Sequence, residues 1–316
     1  MPVSRSYVSE RYSLVLEGVN CGFIRSAEGG NVTADVIKEP PGPSYFTRKH
    51  LGQLKYEDFE LELGFQLEPS VFQWIASSWN GNYQRKDGAV IAADFNLNAQ
   101  SQREFFNALI TETTIPACDG SSKEPAYMTL KFAPEHTRYT KASGKLKTEL
   151  SKTAKLWAPS NFKLEIDGLD CTRVSKIESF TVRQAIVKDE IGDLRDYAKE
   201  PGKLEFPNLI ITLAENSAQS WYDFHESFVI KGNNDESHEK NGTLVLLSAT
   251  MTAELARINF FNLGIFKLAS EKSGPNTDQI KRIKAELYCE RMEFVYPGAI
   301  KNKRALEFKL NKGLPS

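Results

Sequence analysis

Two stretches of the sequence share one pattern and decide how the chain is built. Residues 12–21 read YSLVLEGVNC, and residues 162–171, at an offset of 150, read FKLEIDGLDC. At the start of each stretch every second residue is apolar, which is typical of a β-strand with one buried face. A glycine follows, Gly18 or Gly168, where a hairpin turn needs a residue that tolerates positive φ. The same strand and turn are therefore predicted twice.

Apolar and aromatic residues match in the same order along the rest of both halves. The matched residues are Leu61 with Ile211, Leu63 with Leu213, Phe72 with Tyr222, Trp74 with Phe224, Gly88 with Gly242, and Phe105-Phe106-Asn107 with Phe260-Phe261-Asn262. The offset rises from 150 to 155 along the chain, so small insertions account for the drift. We interpret the sequence as a tandem duplication. The predicted parts are a first domain at 1–140, a polar lysine-rich linker at 141–158, a second domain at 159–297 and a basic C-terminal tail at 298–316.

Each half is predicted to be a mainly β (α+β) domain, an antiparallel β-barrel or sandwich of six to eight strands with one short helix. Alternation recurs at 56–67 and 209–213, and helix-start signals then lead into the aromatic segments 71–75 and 221–224. We expect these aromatic side chains to pack the helix onto the sheet. The pattern leaves open an alternative, in which the aromatic residues hold a planar ligand.

Two long polar segments, 39–55 and 189–207, separate predicted strands at the same place in both halves. The first contains Pro40-Pro41-Gly42-Pro43 and the second contains Pro201-Gly202, which argue against a central strand. Long loops between strands are uncommon in compact domains unless they have a function. We therefore expect the two segments to be functional loops.

Composition excludes several classes of function. Among 316 residues, 40 Lys and Arg stand against 41 Asp and Glu, and this balance argues against a dedicated nucleic-acid-binding protein. The sequence has no run of apolar residues that predicts a membrane-spanning helix or a secretory signal, so we expect assembly in a cytoplasm. The four cysteines form no CxxC pair, and we expect them to be reduced and mostly buried.

No catalytic or cofactor-binding motif is present in the sequence. The dipeptides His225-Glu226 and His238-Glu239 begin a zinc-protease pattern, but the second histidine is missing because Val229 and Gly242 occupy its place. GxSxG, P-loop and GxGxxG patterns are absent as well. We therefore predict no catalytic residues, no cofactor and no metal.

The order of these segments resembles the tail tube proteins of contractile phage tails and related injection systems. The resemblance is carried by the hairpin at 162–168, the long Pro/Gly segments, a strand leading into an aromatic helix, and the segments 105–109 and 260–264 that begin with Phe-Phe-Asn. A closing strand that ends at Glu293–Tyr296 also fits. The resemblance implies a small β-barrel or sandwich with a helix, assembled in hexameric rings that stack into a hollow tube inside a sheath.

In that family the long inter-strand loop reaches across the junction between rings. The resemblance therefore implies that the two Pro/Gly segments are stacking or subunit-contact arms, carrying Tyr45, Phe46, Arg48, Lys49, Arg195, Tyr197 and Lys199. Because two similar domains are fused, three chains could supply six positions of a ring, although a hexamer of twelve domains stays open. A closed ring needs contacts in which one edge of a domain meets a different edge of the next.

The expected function is that of a structural, self-assembling tail tube, tube-end or baseplate adaptor protein. Its expected partners are further copies of itself and other tail tube, sheath or baseplate proteins, without a membrane span or specific nucleic-acid binding. The alternative is a soluble two-domain β-barrel that binds a small ligand between walls formed by Trp74 and Trp221. An enzyme is the least favoured reading.

Overall fold

The computed structural model describes residues 11–40, 42, 46–146, 157–189, 198–271 and 281–296. The fold is mainly β with antiparallel sheets and a short helix in each half, as the alternation of the sequence predicts. The predicted basic tail at 298–316 lies outside the described residues, as does most of the predicted linker.

The described part of the N-terminal half contains eleven strands and one helix. They are β1 (Arg11–Leu16), β2 (Val19–Ile24), β3 (Ser26–Gly29), β4 (Val32–Glu39), β5 (Arg48–Tyr56), β6 (Phe59–Leu63), α1 (Pro69–Trp79), β7 (Lys86–Ala93), β8 (Ala99–Ile115), β9 (Cys118–Asp119), β10 (Met128–Ala133) and β11 (His136–Lys141). Its main sheet has the order β2-β1-β7-β8-β10-β6-β3, and β11 pairs with the first part of β8.

The C-terminal half repeats this order. Its elements are β12 (Phe162–Ile166), β13 (Val174–Ile177), β14 (Phe180–Asp189), β15 (Ala198–Glu205), β16 (Leu209–Ala214), α2 (Gln219–His225), β17 (Lys240–Leu247), β18 (Glu254–Ser270) and β19 (Arg282–Val295), with a π-helical turn at Glu226–Ile230. The sheet order β12-β17-β18-β19-β16-β13 corresponds to β1-β7-β8-β10-β6-β3, with β19 in place of both β10 and β11.

Backbone irregularities also fall at matching positions. Asn107 and Asn262 both have positive φ, 50° and 56°, inside the long strands β8 and β18. The β4–β5 pair is irregular between Ala34 and Val36, and the β14–β15 pair is irregular between Gln184 and Ile186. We therefore call two residues equivalent when they occupy the same place in this shared order. The offset is 150 up to the helices, 154 at β7 and β17, and 155 from β8 and β18 onward.

The aromatic helix residues belong to the core. Trp74 is 1% exposed and its indole N–H donates to the Gln84 carbonyl at 2.8 Å, while Trp221 is fully buried and donates to the Asp170 carbonyl at 2.9 Å. Each buried indole thus has its hydrogen-bond partner in the backbone. The sequence prediction that these residues pack helix on sheet is confirmed, because both indoles are buried in the core.

The two Pro/Gly segments are not loops throughout. Arg48–Tyr56 forms β5, and Ala198–Glu205 forms β15, which contains Pro201 and Gly202. The expectation of long loops was wrong for these residues, whereas the argument against a central strand holds, because β15 pairs only with β14 in the described structure and its other edge donates to no neighbouring strand. Pro201 also lies next to the irregular step of the pair, where a ladder hydrogen bond is already lost.

Candidate functional site

The hairpin β14–β15 extends from the C-terminal half onto the sheet of the N-terminal half. We call it the C-terminal arm, and we call the equivalent hairpin β4–β5 the N-terminal arm. Strand β14 pairs antiparallel with the end of β8, with Phe180 opposite Ile115 and Arg183 opposite Glu112. The hydroxyl oxygens of Thr114 and Thr181 are 2.8 Å apart across this pair. The arm thus joins the two halves through a shared sheet.

Helix α1 makes the second contact between the halves. Phe294 of β19 is 2% exposed, with its ring centroid 6.3 Å from that of Phe72 and 5.6 Å from that of Trp79. Beside them Gln73 Nε2 donates to Tyr296 Oη at 3.1 Å, and Ser78 Oγ donates to Gln184 Oε1 at 3.2 Å. The N-terminal half contributes the helix and a sheet edge, whereas the C-terminal half contributes the arm and the end of β19.

Two smaller contacts cross between the predicted domains as well. Strand β9 pairs with β13, with Cys118 opposite Ile177. Trp157, which lies in the predicted linker, is 3% exposed and packs edge-on against Phe65 at 5.5 Å between ring centroids. The end of the linker segment is therefore part of the core, so the two halves share a continuous apolar cluster.

A cluster of charged residues lies at the base of the C-terminal arm. Lys199 is 3% exposed, its Nζ is 3.9 Å from Asp58 Oδ1, and its backbone N–H donates to Glu135 Oε1 at 3.0 Å. Arg85 donates to Glu200 at 2.6 Å and to the Lys199 carbonyl at 2.9 Å. Burial lowers the pKa of Lys199, and the Asp58 carboxylate opposes that effect only in part. Partial desolvation raises the pKa of Asp58, although its side chain is still 47% exposed.

Four of the seven residues predicted for the contact arms are described, and these four do not come together. Among them, Lys199 is the one that lies in the junction between the halves. Phe46, Arg48 and Lys49 lie exposed on the N-terminal arm, and Tyr45, Arg195 and Tyr197 lie outside the described residues. The junction residues that sequence reasoning missed include Asp58, Trp79 and Phe294. Local periodicity marks Phe294 and Trp79 only as apolar, and nothing local indicates that they meet.

Replacing Lys199 by methionine is expected to raise the free energy of unfolding at pH 7 by about 1 kcal/mol. The buried ammonium group has lost its hydration, and its distance of 3.9 Å from the Asp58 carboxylate is too long for a close ion pair that would offset this cost. The lowered pKa means that folded Lys199 releases its proton more readily than unfolded lysine. Its contribution to stability is therefore present above pH 10.5 and is lost as the pH falls through the folded pKa. The advantage of Lys199→Met should shrink between pH 7 and pH 10 in urea unfolding.

The matched control is Lys49→Met, at the equivalent and exposed position of the N-terminal arm. It should change the stability of the isolated chain by less than about 0.5 kcal/mol at any of these pH values. An advantage of Lys199→Met that grows with pH would contradict the assignment of burial as the dominant effect on this lysine.

The described residues hold no group of three or more His, Cys, Asp or Glu side chains arranged to bind a metal ion. The cysteines are free thiols, of which Cys21, Cys118 and Cys289 are buried and Cys171 is partly buried. Burial raises the pKa of Cys118 to about 12. None of the helices in the described parts of the chain is long and apolar enough to cross a membrane.

Comparison with solved structures gives matches of low identity that cover less than half of this chain. The tube-terminating cap of the anti-feeding prophage is 20% identical over 45% of this chain and 95% of that one, with a TM-score of 0.38. The sheath-tube complex of the extracellular contractile injection system PVC is 19% identical over 44% and 95%, with a TM-score of 0.38. Hcp1 from Flavobacterium johnsoniae is 11% identical over 42% and 93%, with a TM-score of 0.25.

Comparison with protein families gives one match in the N-terminal half. Among curated proteins, no relative matches significantly. Residues 9–138 match the family described as T4-like virus tail tube protein gp19, a family of structural tail proteins and not of enzymes. This range contains the seven strands β2-β1-β7-β8-β10-β6-β3 of the sheet that receives the C-terminal arm, and it ends within β11. The N-terminal half of the chain is therefore similar to the gp19 tail tube family.

Proposed function

We propose that the chain is a structural tail component that assembles with copies of itself into a ring around a central channel, in a phage tail or a phage-like contractile injection system. One observation carries the proposal: the arm and β19 of one half are seated on the sheet edge and helix of the other half. Within one chain, two units with the same strand order already meet through different surfaces. This is the kind of contact that propagates from unit to unit.

We further propose that the two halves are duplicated tube domains. Each half has two contact surfaces. One consists of a sheet edge and a helix, and the other consists of an arm and a closing strand. The contact inside the chain buries the edge-and-helix surface of the N-terminal half against the arm-and-strand surface of the C-terminal half. The other surface of each half stays free for a contact with another chain. Heterologous contacts of this kind close into a ring when the rotation between units permits it. Three chains would then supply six positions around the ring.

The net charge of -1 fits such an assembly, because a large net charge would oppose close packing of identical subunits. We propose tube subunits, sheath or baseplate proteins as further partners, with the ring at the tube end or at a baseplate adaptor. Phe46, Arg48 and Lys49 are proposed to serve contacts between subunits. Assembly in a cytoplasm and the lack of specific nucleic-acid binding stay predictions.

Native mass spectrometry of the purified chain is expected to give a complex of three times 35.6 kDa, and electron microscopy is expected to show rings with a central channel. The physical reason is that each chain exposes one unused set of the surfaces that are buried between its own halves. A stable monomer at high micromolar concentration would overturn the ring. A hexamer would keep the ring and overturn the arrangement with three chains.

A further inference from the structure

We infer that the N-terminal arm of one chain adds to the edge of β18 in the C-terminal half of the next chain, while α2 of that half covers β11 of the arm's own chain. The occupant of both surfaces is thus a second copy of this chain, joined N-terminal half to C-terminal half. The inference rests on the proposed function and specifies the residues through which the ring would form.

The first argument is that the end of β8 in the N-terminal half pairs with an arm, whereas the equivalent end of β18 in the C-terminal half does not. Residues 112–115 of β8 pair with β10 on one side and with β14 on the other. The equivalent residues, 267–270 of β18, pair with β19 on one side and with no strand on the other side in the described structure. An unpaired edge is a template for a strand from another chain. The C-terminal arm shows which kind of strand fits such an edge.

The second argument is that the N-terminal arm is paired with no sheet edge in the described part of the chain. Strands β4 and β5 form a separate two-stranded sheet, and within the described residues they pair with no third strand. Four of their apolar side chains are between 46% and 65% exposed, namely Val32, Val36, Ile37 and Leu51. An isolated two-stranded hairpin is marginally stable in water. Its sequence, with the same irregular step as the C-terminal arm, fits a hairpin that is covered in an assembly.

The third argument comes from the helix contact. Phe294 is 2% exposed under Phe72, but the equivalent residue in the N-terminal half, Tyr139, is 65% exposed. The residue equivalent to Phe72 is Tyr222, which is 38% exposed on α2. Both partners of a buried contact inside the chain therefore recur as exposed aromatic residues at its outer surfaces. Exposed aromatic residues at both surfaces are what a repeat of this contact between chains requires.

The charged residues beside the β18 edge favour one of the two arms over the other. In the chain, Arg183 of the C-terminal arm is 3.5 Å from Glu112 of β8, and Glu200 is 2.6 Å from Arg85. On the β18 edge the equivalent residues are Lys267 and Glu239. The C-terminal arm would there place arginine beside lysine and glutamate beside glutamate, and such like-charge contacts select against a wrong partner.

The N-terminal arm avoids both conflicts. It would place Thr33 beside Lys267 and His50 beside Glu239, and its Lys49 would approach Glu290, which is the equivalent of Glu135. A neutral residue, a histidine beside a carboxylate and one oppositely charged pair replace the repulsive contacts. The β18 edge therefore discriminates in favour of the N-terminal arm, and this directs chains into head-to-tail order.

Engineered cysteines test this register. Thr114 and Thr181 touch at 2.8 Å between their hydroxyl oxygens, and their equivalents are Ala269 and Asn31. Chains carrying Asn31→Cys alone are mixed with chains carrying Ala269→Cys alone and are then oxidised mildly. We expect a covalent dimer on non-reducing gels in the mixture and at most a trace with either variant alone. The double variant Thr114→Cys/Thr181→Cys is the matched control, which should form its disulfide within one chain and run as a monomer.

The outcomes separate the inference from the proposed function. If native mass spectrometry shows a ring but the mixture gives no dimer, the register between arm and edge is wrong and the ring stands. Equal dimer yields from the mixture and from each single variant would indicate random collision and would overturn the inference. A chain that is monomeric in both experiments overturns the proposed ring itself. Wild-type chain oxidised in parallel reports any cross-linking through Cys171, the least buried native cysteine.

Discussion

Replacing Phe294 by alanine is expected to lower the free energy of unfolding by about 3–5 kcal/mol, the usual range for a buried phenylalanine. Phe294 is 2% exposed, and its ring lies between Phe72 and Trp79 of α1. The substitution removes the aromatic contact that holds helix to strand and leaves a cavity between the two halves. Equilibrium unfolding in urea, followed by tryptophan fluorescence, measures the loss.

The matched control is Tyr139→Ala at the equivalent position of the N-terminal half. Tyr139 is 65% exposed, so its removal should change the stability of a single chain by no more than about 0.5 kcal/mol. If α2 of a neighbouring chain covers Tyr139, the same substitution should weaken the assembly. The comparison is made at a concentration where size-exclusion chromatography gives one assembly state for all variants.

Similar losses of stability for the two substitutions would contradict the seating of Phe294 under α1. A large loss for Phe294→Ala without any effect of Tyr139→Ala on assembly would keep the contact inside the chain and refute its repetition between chains. The pair of variants thus separates the fold from the assembly.

The features that sequence reasoning predicted are those encoded by local periodicity. Alternation located β1 and β12, and the aromatic segments marked both helices because their apolar side chains recur at helical spacing. The match of Phe105 with Phe260 put the long strands of the two halves in register. Each of these signals needs only a short window of sequence.

The junction could not be predicted because its contacts join residues that are distant in sequence. Strand β14 follows β13 in the chain, but it pairs with β8. Pro201 indicated a loop, since sequence alone does not show that β15 has an open edge. Lys199 was predicted as a residue of a stacking or subunit-contact arm, and within the chain it is buried because the arm folds back onto the other half.

The equivalence between the halves can itself be tested at a pair of positions where small and large residues have changed places. On β8 and β10, Leu109 lies opposite Ala133, and both are 2% exposed. On β18 and β19, Gly264 lies opposite Tyr288. A Cβ atom at Gly264 would overlap the Tyr288 ring, so the glycine leaves the space that the tyrosine fills. The Tyr288 hydroxyl group donates to Glu239 at 2.6 Å.

Gly264→Leu is therefore expected to destabilise the chain by about 3 kcal/mol or more, because overpacking forces the ring and the backbone apart. Tyr288→Ala alone should lower stability by about 2–4 kcal/mol through the cavity and the lost hydrogen bond. The double variant recreates the pair of the N-terminal half, leucine opposite alanine. We expect it to be more stable than the sum of the two single effects predicts, by about 2 kcal/mol. Urea unfolding of the wild type, the two single variants and the double variant completes this double-mutant cycle.

Gly64→Leu serves as the control for leucine in place of glycine, because no atom lies within 4 Å of a Cβ atom built at Gly64. Its effect should stay within about 1 kcal/mol. Additive losses in the double variant would mean that positions 264 and 288 do not reproduce the packing of 109 and 133. Additivity would therefore count against the offset of 155 in this part of the sheet, which also matches Ala269 with Thr114 and Phe294 with Tyr139. Strong coupling would support the use of the contact inside the chain as a template for the contact between chains.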